Sequence, residues 1–88
     1  MDPWPEDLPR QVEIDAAGDV ALTAPQAAAL LGVALDAFLA DLRAGHVYSV
    51  VERGEGEDAG RLRLTLRRRA RQRQLLVEAA TGRVLDAS

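Results

Sequence analysis

From residue 61 to 67 the chain reads "RLRLTLR", with apolar and polar positions alternating without a break. Leu62, Leu64 and Leu66 then share one face, while Arg61, Arg63, Thr65 and Arg67 share the other, which is the period of a half-buried strand. "HVYSVVER" (46–53) is rich in β-branched residues and suits the strand before it, and "QRQLLVEA" (72–79) suits the strand after it. "GEGEDAG" and the basic "RRAR" supply the intervening turns, "ATGR" turns once more, and Val84–Leu85 closes the sheet as a short edge. Nearer the N-terminus, "QVEID" places Val12 and Ile14 on one face, "AAGD" turns, and "VAL" (20–22) returns as a second short strand.

Between these β segments the apolar spacing changes to three and four. Ala27, Leu30 and Leu31 form one helical stripe, and Leu35, Phe38, Leu39 and Leu42 form another. Thr23 and Gln26 have the spacing of a capping box, with Pro25 tolerated in the first turn. Gly32 ends the first helix, and the second runs from about Leu35 to Ala44 and stops at Gly45. The predicted fold is α+β: a helix-turn-helix pair packed on one face of a small twisted antiparallel sheet. Residues 11–88 form the single domain, and residues 1–10, with three prolines, form a flexible N-terminal segment.

A chain of 88 residues is one small domain whose core must use nearly every large apolar side chain. An oligomer would help to stabilise it. Cysteine is absent, which excludes disulfides, thiolate chemistry and zinc–thiolate sites. "MDPWPEDLPR" is acidic and broken by proline, unlike a secretion signal. "VALTAPQAAALLGVALDAFLA" carries Thr23, Pro25, Gln26, Gly32 and Asp36, which argues against a membrane span. The expected compartment is the cytoplasm.

"LTAPQAAALLGVALDAFLADLRAGHVYSV" resembles the helix-turn-helix of the MerR and excisionase type, which is followed by a β wing. Leu31, Gly32, Val33, Gly45 and Val47 carry that resemblance in register. It implies a second helix that reads DNA, but Ala34 stands where such proteins place a capping Ser. Leu35, Asp36, Leu39 and Ala40 stand where they place Arg or other hydrogen-bonding residues. Base edges are read by Arg, Lys, Asn and Gln, so this helix has the frame of a reader without its side chains. Seated as in those proteins, it would expose Leu35 and Leu39 as an apolar patch. Lying flat on the sheet, it would bury all four stripe residues and turn Asp36, Ala37, Ala40, Asp41, Arg43 and Ala44 outward. The longer span from "VEID" to "GRVL", chiefly the block Glu52–Arg61 and the alternating strand after it, is similar to a family of small bacterial proteins of unknown function.

The net charge of −3 conceals a division. Residues 1–58 hold 12 acids and 3 arginines, and residues 59–88 hold 2 acids and 8 arginines. Arg61, Arg63, Arg67, Arg68, Arg69, Arg71 and Arg73 make the candidate electrostatic patch. The acidic total, the scarcity of stacking aromatics and the nearby Glu52, Glu55, Glu57 and Asp58 weigh against nucleic acid.

His46 is the sole histidine, and Ser49, Thr65 and Thr81 have no base at a catalytic spacing. "ERGEGED" lacks the ligand order of a calcium loop, and "GEGEDAG" would offer acids to a phosphate. The expectation is a non-enzymatic module with no cofactor, no metal and no small-molecule substrate. It would bind a protein partner or assemble as a homo-oligomer through Leu35 and Leu39, with the arginines steering. The alternative is a DNA-binding regulator that grips phosphates through Arg67, Arg68, Arg69, Arg71 and Arg73.

Overall fold

A computed structural model describes residues 8–88. Two helices and two antiparallel sheets form an α+β domain, as the periodicities predict. The minor sheet is the hairpin β1 (Glu13–Ile14) and β2 (Val20–Ala21). The helices α1 (Ala24–Leu31) and α2 (Leu35–Arg43) follow. The main sheet has the order β3 (Val47–Arg53), β4 (Arg61–Arg68), β5 (Arg71–Glu78), β6 (Val84–Ala87), each strand antiparallel to its neighbour. A 3-10 turn at Gly56–Asp58 lies in the glycine-rich loop.

Both reciprocal bonds of the capping box form: the Thr23 hydroxyl accepts from the Gln26 backbone N–H, and the Gln26 side-chain Oε1 accepts from the Thr23 backbone N–H. At the far end Gly32 reaches φ 70°, a conformation costly for other residues, and its N–H returns to the Ala29 carbonyl. The chain then turns by 103° into α2.

The core lies between the helices and one face of the main sheet. Leu30 and Leu31 of α1 and Phe38 of α2 are buried against Leu62, Leu64 and Leu66 of β4, Leu75 and Val77 of β5, and Val84 of β6. The strand register fixes which side chains join them. Leu62 is opposite Val77 and Leu64 opposite Leu75, so these odd and even sets lie on one face of the sheet together. The helices do not cover the opposite face.

The N-terminal boundary differs from expectation. Leu8 is buried in the core, the Arg10 carbonyl accepts the Val84 N–H, and Val12 donates to Gly82. Residues 8–10 are therefore packed onto the domain, and only residues 1–7 of the expected flexible segment lie outside the described residues. No single helix among the described residues is long and apolar enough to cross a membrane.

Candidate interaction surface

The seven arginines do not form one patch. The period of two sends Arg61, Arg63 and Arg67 to the uncovered face of the sheet and Arg68, Arg71 and Arg73 to the helix side, with Arg69 in the turn between β4 and β5. On the uncovered face Arg63 stands opposite Glu52 and Arg61 opposite Glu78, and Arg61 also lies 3.6 Å from Asp58. Arg61 and Arg63 thus have carboxylates nearby, whereas Arg67 stands opposite Tyr48 and Gln72.

Arg68, Arg69 and Arg71 fasten the hairpin to the helices. Arg68 Nε donates to Asp41 Oδ2, and Arg69 donates to Asp41 Oδ1 at 3.3 Å. Asp41 is buried, whereas a helix lying flat would have turned it outward. The cause is its place on the stripe side of α2, three residues after Phe38, where the β4–β5 turn meets the helix. Hydrogen bonds from Arg69 and then Arg68 hold the Asp41 carboxyl below its ordinary value of 3.8, against the opposing effect of burial. Arg71 donates at 2.8 Å to the Leu31 carbonyl, at the negative end of α1. Arg73 donates to the Ser88 carbonyl at 3.2 Å. Arg69 has φ 55° without being glycine, a conformation that its bonds to Asp41 and to the His46 carbonyl hold in place.

α2 adopts neither of the two expected placements. Phe38 is buried and Leu39 is half-buried against the core, while Leu35 and Leu42 are 41% and 48% exposed. The helix touches the core through its middle, so Leu35 and Leu39 do not make one exposed patch. Leu42 faces a different feature, a groove of about 330 Å³ between the minor sheet, α2 and β3. Leu22, Ala27, Phe38, Val47 and Leu64 supply its apolar lining, and Ser49 lies at the β3 side.

β3 borders this groove and is an edge of the main sheet. Gly54 donates to the Arg61 carbonyl and Arg69 to the His46 carbonyl, both in the register of the β3–β4 ladder. Even-numbered residues of β3 thus direct their backbone groups to β4. The N–H and C=O of Val47, Ser49, Val51 and Arg53 point to the open side. Tyr48 and Val50, on the uncovered face, are 54% and 48% exposed. Sequence reasoning missed Leu42, Tyr48 and Val50 as surface and Asp41 as an anchor. The available signal was that "HVYSVVER" is the first strand after the helices, with only one following strand able to pair as a hairpin.

Catalytic candidates remain scattered. Thr65 accepts from Gln74, Thr81 donates to Glu78, and His46 is exposed at the end of α2. Among the described residues no three His, Cys, Asp or Glu side chains come together as a metal site.

A family model matches residues 10–88, nearly all of the described domain. The chain belongs to DUF6522, a family of unknown function. Neither the curated proteins nor the solved structures contain a match. The family match begins at Arg10, where the packed N-terminal stretch meets β6, so the match takes in both edges of the main sheet.

Proposed function

We propose that the chain is a non-enzymatic protein-interaction module that takes an extended protein segment as an added strand along β3. The observation that carries this reading is a seven-residue edge, unpaired among the described residues, beside an apolar groove. Added strands gain affinity from main-chain hydrogen bonds and specificity from pockets that accept alternate side chains. β3 offers the first, and the groove offers the second. Arg68, Arg69 and Arg71 of the β4–β5 hairpin act in the fold, joining it to Asp41 and to the end of α1, and on the uncovered face Arg61 and Arg63 have carboxylates nearby.

The nucleic-acid reading retains one favourable observation, since a 103° turn suits a helix-turn-helix. Against it stand the exposed residues over the first half of α2: Leu35, Asp36, Ala37 and Ala40 offer a duplex no donor side chains, and Arg43, in the last turn, is the one exposed donor on the helix. Titration with mixed-sequence duplex over a range of salt tests the choice. The expected result is no association at physiological ionic strength. Tight binding that weakens steeply with salt would overturn the module reading. Panning the immobilised chain at low concentration against random peptides supplies the positive arm. Recovered peptides should lose binding to Ser49→Pro, and peptides indifferent to that change would count against β3 as the site.

A further inference from the structure

The free edge of β3 is self-complementary. Its midpoint is Val50, so an antiparallel copy turned about a two-fold axis through that residue overlaps all seven positions. Val47 then opposes Arg53′ of the second copy, Ser49 opposes Val51′, and Tyr48 opposes Glu52′. A two-fold axis perpendicular to a sheet keeps each residue on its own face, so only registers centred on a residue are possible. Centring on Glu52 or Arg53 would place like charges opposite one another, which is destabilising. Centring on Val50 avoids this and gives the longest overlap.

The hydrogen-bonding phase agrees. The residues whose N–H and C=O face outward are Val47, Ser49, Val51 and Arg53. This register pairs those residues only with one another. Each outward group of one copy then meets an outward group of the other, and Val50 meets Val50′ as a close, non-hydrogen-bonded pair. Charge agrees as well. On the uncovered face, one cross-strand row would read Arg67, Tyr48, Glu52′, Arg63′, with a carboxylate between two cations. On the helix side Val51′ would lie beside Ser49, the small exposed side chain at the margin of the groove, and cover its mouth.

Resting on the reading of β3 as a strand acceptor, we propose that the partner is a second copy of this chain. The two copies join β3 to β3′ across Val50 into one continuous eight-stranded antiparallel sheet. The groove margin and the exposed Tyr48 and Val50 of each copy become buried in the seam.

Three sets of variants of the full chain test this: cysteines for crosslinking, charges on the axis, and a proline on the edge. The protein has no cysteine, so Val50→Cys introduces a single thiol pair. Cα atoms of a close antiparallel pair lie about 4.5 Å apart, within the disulfide range of about 4.4–6.8 Å. Mild oxidation should give a covalent dimer, whereas Tyr48→Cys should crosslink only when mixed with Glu52→Cys. Val50→Asp and Val50→Lys should each weaken dimerisation at least about tenfold, because like charges meet on the axis. An equimolar mixture of the two should recover a heterodimer. Ser49→Pro removes an outward N–H that β4 does not use, so it should be a folded monomer. If that variant fails to fold, the charge-swapped pair still decides the question.

Sedimentation of the wild type as a monomer from micromolar to near-millimolar concentration would overturn the second-copy assignment. So would a dimer indifferent to Val50→Asp. Peptide capture sensitive to Ser49→Pro in a strictly monomeric protein would leave β3 as a strand acceptor with a different partner. Loss of both would reject the module reading as well.

Discussion

The two edges of the main sheet are built in opposite ways. β6 has four residues and a register shift opposite Leu76 and Val77, and the chain itself covers its start. Gln11 bridges Arg83, the Arg10 carbonyl takes the Val84 N–H, and Val12 donates to Gly82. β3 has seven residues in unbroken register with β4 and, among the described residues, no strand on its other side. Long, regular, uncovered edges invite further strands, and proteins ordinarily blunt them with short strands, bulges, proline or inward charge. β6 shows two of those devices, and β3 has only Arg53 at its end, tied 3.7 Å from Asp19. The lesson is that one edge is closed by the fold while the other is left able to pair.

The most damaging change should be at the closed edge. Gly82 has φ 78°, and a Cβ placed there would lie 2.0 Å from the Val12 carbonyl oxygen. Gly82→Ala should lower unfolding stability by about 4 kcal/mol in urea titration, from backbone strain and steric conflict together. A loss below about 1 kcal/mol would mean that the cover over β6 is loose.

Next comes a contrast between the sheet interior and the open edge. Leu64→Ala removes a buried side chain and should cost about 3 kcal/mol. Val50→Ala, measured at concentrations where the monomer prevails, should change stability by no more than about 0.5 kcal/mol. Equal losses would show that β3 is covered within the monomer and would remove the contrast.

A smaller effect should follow at the anchor between the β4–β5 turn and α2. Asp41→Asn should lower the melting temperature at neutral pH. The folded carboxyl titrates below 3.8, so its stabilising contribution is complete above that value and is lost as the pH falls through the lower folded one. The wild type should therefore lose stability more steeply than the variant on acidification below pH 3.8. Parallel pH profiles would show that the Arg68–Asp41–Arg69 contact carries no linked proton.

The smallest change is expected where the arginines face solvent. Arg63→Gln on the uncovered face should leave stability within about 0.5 kcal/mol, since exposed ion pairs contribute little. A larger loss would show that the Glu52–Arg63 cross-strand pair helps to hold β3 in place.

Much of this was legible from local chemistry. The strand at Arg61–Arg68 follows from its alternation, and the first helix follows from Thr23, Gln26 and Gly32, because both signals lie within a few residues of the structure they specify. The arginine cluster was not legible in the same way. Its residues are neighbours in sequence, yet strand alternation and a two-residue turn separate them onto two faces with different partners. Asp41 and Arg68 find each other across 27 residues, a pairing that no local rule supplies. Leu35 and Leu39 are alike in sequence, and only the packing of α2 against the core leaves one exposed and the other half-buried.

Read alone, the 88 residues determined the α+β class, the order of elements and the inward leucines of β4, since hydrophobic period and turn chemistry act over a few residues. The tertiary structure alone decided which sheet edge is covered, which arginines hold the helices and where the groove opens. Those outcomes depend on contacts between segments far apart in the chain, and their geometry comes into being only when the layers pack.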